Sequence, residues 1–173
     1  MDSTEVRVRV LGIDPGVAKM GYGVVERAGS KLTPVTYGVI TTSADETQAR
    51  RLMTLRVALA NIMREHRPDV VALERLFFTT NVKTAMAVGQ ASGVALATSA
   101  EANLEVTDYT PNEVKQSVVG YGGASKAQVQ AMVTALLGLA EAPSPPDAAD
   151  ACALAICHLN RSGLRRAIRR KTG

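Results

Sequence analysis

The chain has 173 residues, of which 46% are hydrophobic, 21% are charged and 3% are aromatic. That length is enough for one compact core and short for two. The sequence has no run of about 18 uncharged apolar residues, and charges stand near the N-terminus where a signal peptide needs an apolar stretch. We therefore expect a cytoplasmic protein that is neither secreted nor embedded in a membrane.

Basic residues are concentrated at the C-terminal end. The formal net charge of +4 comes from 20 lysines and arginines against 16 aspartates and glutamates. Six of the basic residues lie in the last thirteen positions, which contain no acid: Arg161, Arg165, Arg166, Arg169, Arg170 and Lys171. Acids outnumber bases in the rest of the chain, so its composition is not that of a basic module. We predict one domain over 1–160 and a flexible basic tail over 161–173, which is either simply solvated or adds affinity for nucleic acid.

The N-terminal part of the chain has the pattern of β-strands. Residues 5–13 alternate in polarity until Asp14-Pro15-Gly16 ends the run with residues typical of a turn. Two more β-rich runs follow at 21–27 and 33–41. This part of the sequence predicts a three-stranded antiparallel meander.

Helices and strands then alternate. The spacing of apolar residues predicts a helix over 46–66, a buried strand over 69–73, a helix over 82–102, a strand over 104–109, helices over 111–119 and 125–139, and a last helix from Pro145 to about Arg161. This order predicts a three-layer α/β domain, in which helices cover both faces of a mixed five-stranded sheet.

Two acidic residues stand at the ends of predicted strands. Asp14 ends the first strand in register with Val8 and Val10, so its side chain points to the same face as theirs. Glu74 directly follows the apolar strand over 70–73. Each has an ordinary alternative: Asp14 belongs to an Asp-Pro-Gly turn, and Glu74 is a charged residue where a strand leaves the core.

A pair of aspartates opens the last predicted helix. Asp147 and Asp150 are three residues apart and therefore share one helical face. Asp147 alone suits the first turn of a helix capped by Ser144, whereas Asp150 lies a turn deeper in an alanine-rich stretch where an unpaired carboxylate is unfavourable. With the two strand-end carboxylates, the pair supplies the oxygen ligands that Mg²⁺ prefers. Two such ions, ~4 Å apart, catalyse phosphoryl displacement.

Six motifs in order resemble the RuvC family of bacterial Holliday-junction resolvases. They are GIDPG at 12–16, GYGVV at 21–25, LERLFF at 73–78, GQASGVA at 89–95, NEVKQSVVGYGGASKAQV at 112–129 and PDAADACALAICH at 146–158. The resemblance covers residues 8 to 159. GIDPG alone is a weak signal, since sugar kinases and actin-like ATPases carry similar strand-turn elements, but six motifs with these spacings are specific.

The resemblance implies a homodimer of RNase H-like nuclease domains. It implies resolution of Holliday junctions in recombination and DNA repair by two symmetric Mg²⁺-dependent hydrolyses, which leave 5′-phosphate and 3′-hydroxyl ends. The positions that match the catalytic, metal-binding carboxylates of the family are Asp14, Glu74, Asp147 and Asp150. They would hold one or two Mg²⁺ ions, for which Mn²⁺ substitutes. The implied partners are a four-way DNA junction and the RuvA–RuvB branch-migration complex.

The resemblance also implies DNA contacts outside the carboxylates. Phe77 matches the residue that stacks at the junction centre. We expect the neighbouring Phe78 to pack inward, and the alternative is that both phenylalanines pack in the core. Lys115 and Lys126 match lysines placed near the DNA backbone, and their alternative is that of solvated helix lysines. Three further candidates for DNA contacts lie close to Phe77 in the sequence: Arg75, Thr79 and Asn81.

Several features leave alternatives open. The Ala/Gly-rich stretch 85–97 suits either a dimer interface or burial against the chain's own sheet. Cys152 and Cys157 turn to different faces of one helix, so a disulfide between them is geometrically poor. Two other functions compete with a junction resolvase: a junction-binding module without catalysis, and a related RNase H-like nuclease that acts on RNA.

Overall fold

A computed structural model describes the backbone of residues 6–75 and 81–172, and the side chains of this part of the chain as far as Gly163. Five strands and five helices follow one another in this part. They are β1 (Arg7–Asp14), β2 (Lys19–Ala28), β3 (Lys31–Thr41), α1 (Gln48–His66), β4 (Val70–Glu74), α2 (Val82–Glu101), β5 (Glu105–Tyr109), α3 (Pro111–Val118), α4 (Lys126–Leu136) and α5 (Pro146–Thr172).

The five strands form one mixed sheet in the order β3-β2-β1-β4-β5. The first three strands pair antiparallel, which confirms the predicted meander. Strands β4 and β5 join parallel to β1 and to each other, because a helix returns the chain to the same end of the sheet before each of them. The carboxyl ends of β1, β4 and β5 consequently lie along one edge.

Helices cover both faces of the sheet, as the sequence predicts. Alternate residues of β1 separate the two layers: Leu11 and Ile13 pack with α1 and α2, whereas Val10 packs with α3, α4 and α5. In β4, Val71 packs on the side of α1 and α2, and Ala72 packs on the side of α3, α4 and α5. The period of two residues in the strands therefore assigns every even-numbered side chain of β1 and β4 to the face that α5 covers.

Helix α5 lies unusually close to the sheet because glycines face it. A Cβ atom at Gly12 would overlap the carbonyl oxygen of Ala151, and one at Gly21 would overlap that of Asp147. Small side chains on the helix contribute to the same approach, since Ala148, Ala149 and Ala151 are fully buried. The first two turns of α5 are thus held against the carboxyl end of β1.

The structure corrects two predictions at the ends of α5. The helix continues to Thr172 instead of ending near Arg161, because the sequence that follows is rich in arginine and other good helix formers and contains no proline. The helix begins at Pro146, so Ser144 stands one residue too early to be its N-cap. Cys152 and Cys157 are buried and free, as predicted. Among the described residues, the helices are too short or too polar to span a bilayer.

Candidate active site

Two carboxylates lie side by side where neighbouring parallel strands end. Ile13 of β1 pairs with Leu73 of β4, so Asp14 and Glu74 are the next residues along these strands. Both have even numbers and therefore point to the face that α5 covers. Their side chains share a hydrogen bond, which places the two carboxyl groups in direct contact.

Helix α5 brings the aspartate pair to the same place. Asp147 and Asp150 lie on its first two turns, and the charges of both act on Asp14. Asp150 also acts on Glu74. Both aspartates are half-buried, although the alanines beside them in the sequence are fully buried. The structure therefore brings together all four carboxylates that the sequence singles out.

The concentration of negative charge changes the acidity of the strand-end carboxyls. Burial, followed by the charges of Glu74, Asp150 and Asp147, raises the pKa of Asp14 from 3.8 to about 8. Burial and the charge of Asp150 also raise the pKa of Glu74, against the opposing effects of its hydrogen bond with Asp14 and of Lys126. The carboxyl of Asp14 is therefore protonated near neutral pH and shares a hydrogen bond with Glu74.

One cation balances part of this charge. Lys126 Nζ lies 2.8 Å from Asp150 Oδ2, and this hydrogen bond raises the pKa of the lysine. Lys126 is the first residue of α4, which is capped by the side chain of Ser125. A cavity of about 220 Å³ opens between α3, α4 and α5 and is lined by Glu74, Lys115, Lys126 and Asp150. Both lysines predicted to contact DNA thus border the carboxylates.

The carboxylates suit a hard divalent cation by their chemistry. Four acidic side chains lie near one paired ammonium, and burial together with their negative charge raises the pKa of Asp14. In the part of the chain that the structure describes, however, no three acidic, His or Cys side chains converge closely enough to hold an ion. Lys126 engages Asp150, and a proton links Asp14 to Glu74. A cation binding here would displace both the ammonium and the proton.

The other predicted DNA contacts are less closely grouped. Arg75 is exposed, its backbone N–H donates to the Tyr109 carbonyl oxygen, and no ion pair joins its side chain to a described carboxylate. Asn81 is the N-cap of α2, where its side chain accepts a hydrogen bond from the N–H of Thr84 at 3.2 Å. Phe77 and Thr79, together with Phe78, lie outside the described residues.

The contacts that anchor α3 were not predicted from the sequence. Glu113 accepts a hydrogen bond from the N–H of Thr110, and its other carboxylate oxygen lies 2.5 Å from a guanidinium nitrogen of Arg161 on α5. The hydrogen bond and the guanidinium lower the pKa of Glu113 to about 2. The spacing Thr-x-x-Glu at 110–113 is the signature of a capping box and would have revealed the first contact. This anchor fixes the helix that carries Lys115 beside the carboxylates.

Comparisons with known proteins agree on one family. The family model described as "Crossover junction endodeoxyribonuclease RuvC" matches residues 10–158. A protein of that name from Caldanaerobacter subterraneus is 48% identical over 157 residues, which cover 91% of this chain and 95% of the relative. The structure of Thermus thermophilus RuvC superposes with a TM-score of 0.84 at 37% identity, over 91% and 96% of the two chains. The same Thermus protein in complex with a Holliday junction substrate gives 0.84 at 34% identity, with the same coverage.

Proposed function

Because the chain belongs to the RuvC family of crossover junction endodeoxyribonucleases, it is a Holliday-junction resolvase with an RNase H-like fold, and we propose that Asp14, Glu74, Asp147 and Asp150 are its catalytic residues. The assignment rests on the approach of these four side chains to one another from two strand ends and one helix. A non-catalytic binding module gains nothing from four acids in one place, since they repel the phosphates that it has to bind.

Mg²⁺ is the cofactor that we assign to these carboxylates. When bound, it would activate the attacking water and stabilise charge on the scissile phosphate. The carboxylates have to be ionised to hold it, so Asp14 gives up the proton that it shares with Glu74. Asp147 and Asp150 stay in place because the core of the protein holds their helix. We expect Mn²⁺ to substitute, with one or two ions in each site and 5′-phosphate and 3′-hydroxyl products.

The basic residues around the carboxylates are proposed to position DNA. Lys115 and Lys126 line the cavity beside the carboxylates, so a phosphate that enters the site meets both ammonium groups. Phe77 is proposed to stack on a base at the junction centre. Three residues close to Phe77 in the sequence are assigned secondary contacts with DNA: Arg75, Thr79 and Asn81. We also propose that residues 1–160 form the nuclease domain and that the basic segment 161–173 adds contacts to DNA.

We propose that the protein acts as a homodimer through α1 and α2. Met53 and Val57 on α1, and Leu96 on α2, are large apolar side chains with about half of their surface exposed. A Cβ atom at Gly93 would meet no neighbouring atom, so a second copy has room to approach α2 there. Ala91 and Ala95 on the opposite side of α2 pack on the sheet, so the Ala/Gly-rich stretch serves burial as well. Two-fold symmetry would present two equal sites to a four-way junction.

The cellular setting follows from the same family membership. The relatives compared are bacterial proteins named for action on DNA junctions, so we expect this chain to act in the cytoplasm. The RuvA–RuvB branch-migration complex stays a predicted partner. Co-purification of the three proteins on a four-way junction would test this association.

The decisive experiment compares nucleic-acid substrates. A synthetic four-way junction, a matched linear duplex and an RNA/DNA hybrid are incubated with the protein in Mg²⁺. We expect paired symmetric nicks in the junction alone, and their loss in Asp14→Asn and Asp150→Asn. Asp108→Asn, at an exposed aspartate on β5, serves as the matched control and should cleave normally. Cleavage of the hybrid would favour an RNA-directed nuclease, and binding without cleavage in either Mg²⁺ or Mn²⁺ would favour a binding module.

A further inference from the structure

A second basic surface lies on the other side of Asp14. We propose that Lys19, Arg51 and Lys83 form a phosphate-binding groove for the DNA strand that passes through the active site. The groove has a volume of about 970 Å³ and lies between the β1–β2 turn and the N-terminal turns of α1 and α2. This inference rests on the proposed function and adds a place for the DNA backbone that the carboxylate site does not provide.

The charge of the groove favours an anionic occupant. Of the described residues that line it, three are cationic and none is acidic. Among the described side chains, neither Lys19, Arg51 nor Lys83 forms an ion pair, although six such pairs occur elsewhere in this part of the chain. Lys19 and Lys83 are exposed, so their ammonium groups are free to reach a ligand. Uncompensated cations in a concave surface attract phosphates over a distance of several ångströms.

The arginine is fixed in place by the turn that follows the catalytic aspartate. Arg51 Nε donates to Thr42 Oγ1 at 2.9 Å, and the Thr42 hydroxyl donates to the Val17 carbonyl oxygen at 2.7 Å. The N–H of Thr42 donates to the Ala18 carbonyl oxygen. One guanidinium nitrogen of Arg51 is therefore hydrogen-bonded to Thr42, which is itself bonded to the turn. Arg51 also lines the groove. A side chain held in this way loses little freedom when it binds a phosphate.

The groove begins close to the reacting groups. Gly16 lines it and stands two residues after Asp14, a distance of at most about 7 Å along an extended chain. Measured along the axis of duplex DNA, that distance corresponds to about two base steps, at 3.4 Å per step. A strand whose phosphate lies at the carboxylates would therefore bring its next phosphates to the groove.

A second copy of the chain fits the groove less well. Val82 and Met86 give it some exposed apolar surface, which a protein partner would cover. A two-fold contact, however, places the same patch of both copies together. The cations of Lys19, Arg51 and Lys83 would then face their own counterparts without any acid in the lining, which opposes association. The phosphates of a DNA strand, in contrast, pair directly with the cations of the groove.

The salt dependence of junction binding tests the groove. The double variant Lys19→Gln/Lys83→Gln and the wild type are titrated onto a fluorescent four-way junction in EDTA, between about 50 and 200 mM salt. Each lost phosphate contact reduces the slope of log K against log salt by about one, so we expect the magnitude to fall by about two. Lys19→Arg/Lys83→Arg should keep the wild-type slope. Lys31→Gln is the matched control, since Lys31 is an exposed lysine at the opposite end of the sheet.

The outcomes separate the groove from the proposed function. A slope in the double variant equal to that of the wild type and of Lys31→Gln would overturn the groove. Conversion of a wild-type dimer to a monomer by the double variant, seen by sedimentation, would instead assign the surface to self-association and would also overturn it. Cleavage of the junction by the wild type in Mg²⁺ tests the resolvase independently. A failed groove would therefore leave the resolvase unaffected.

Discussion

Replacing Asp14 with asparagine should stabilise the protein while it abolishes cleavage. Burial of the Asp14 carboxyl, together with the charges of Glu74, Asp150 and Asp147 around it, raises its pKa to about 8. The amide of asparagine has nearly the same shape, bears no charge and still donates a hydrogen bond to Glu74. The variant therefore loses a proposed metal ligand, and it also loses a carboxyl whose ionisation destabilises the fold.

The size of the stabilisation follows from the pKa of Asp14. The unfolded chain releases this proton near pH 3.8 and the folded chain keeps it to about 8, so the wild type loses stability as the pH rises through that window. Between pH 3.8 and 7 the loss has a limit of about 4 kcal/mol, at 1.36 kcal/mol for each pH unit. Because the site is partly open to solvent, we expect about 2 kcal/mol. The asparagine variant does not undergo this loss.

Urea denaturation in EDTA at pH 7 and pH 4 measures the effect. Asp14→Asn should exceed the wild type by about 2 kcal/mol in free energy of unfolding at pH 7, and the difference should nearly vanish at pH 4. Asp45→Asn, at an exposed loop aspartate, should match the wild type at both pH values. A destabilised Asp14→Asn variant, or a difference that does not change with pH, would refute the argument that the folded protein disfavours ionisation of this carboxyl.

Three further predictions concern the surroundings of the site. Glu113→Gln keeps the helix cap but loses the charge next to Arg161, so it should cost about 1 kcal/mol at pH 7, since the pair is partly exposed. Because the pKa of Glu113 is lowered from 4.5 to about 2, this difference should disappear as the pH falls through that interval. Urea denaturation at several pH values measures it. A difference that stays constant with pH would contradict the reasoning. Gly12→Ala places a methyl group against the backbone of α5 and should destabilise the fold by about 3 kcal/mol, so an unchanged thermal midpoint would contradict the close approach. Lys126→Gln removes the ammonium that competes with a cation for Asp150. If the ion pair contributes about 1 kcal/mol, the half-saturating Mg²⁺ concentration in a cleavage titration should fall about fivefold. A rise in that concentration would count against this competition.

Simple periodicities in the sequence predicted the faces on which the proposed catalytic carboxylates lie. Alternation in β1 puts Asp14 on the same face as Val10, and the spacing of three residues puts Asp147 and Asp150 on one face of α5. These local rules fail for contacts that depend on tertiary approach. Gly12 belongs to a motif in the sequence, and only the structure shows that its missing side chain makes room for the helix.

Charge partners were the least predictable part of the site. Lys126 and Asp150 are separated by more than twenty residues, and their 2.8 Å contact depends on how α4 packs against α5. Lys19, Arg51 and Lys83 come from three separate segments that meet only in the folded chain. The end of α5 was predicted wrongly for a related reason: a run of basic residues resembles a solvated tail, whereas arginine is also a good helix former.

The close seat of α5 on the sheet has a mechanical consequence for substrate recognition. The first turns of α5 pack on glycines of the sheet, and the alanines of these turns are buried. Asp147 and Asp150 therefore cannot move without opening the interior of the protein. We therefore expect the aspartates of α5 to keep their positions when a strand binds, so that the strand has to adapt to them. A bent or unstacked strand reaches the site at lower elastic cost than a straight duplex, so branched DNA already meets part of that cost before it binds.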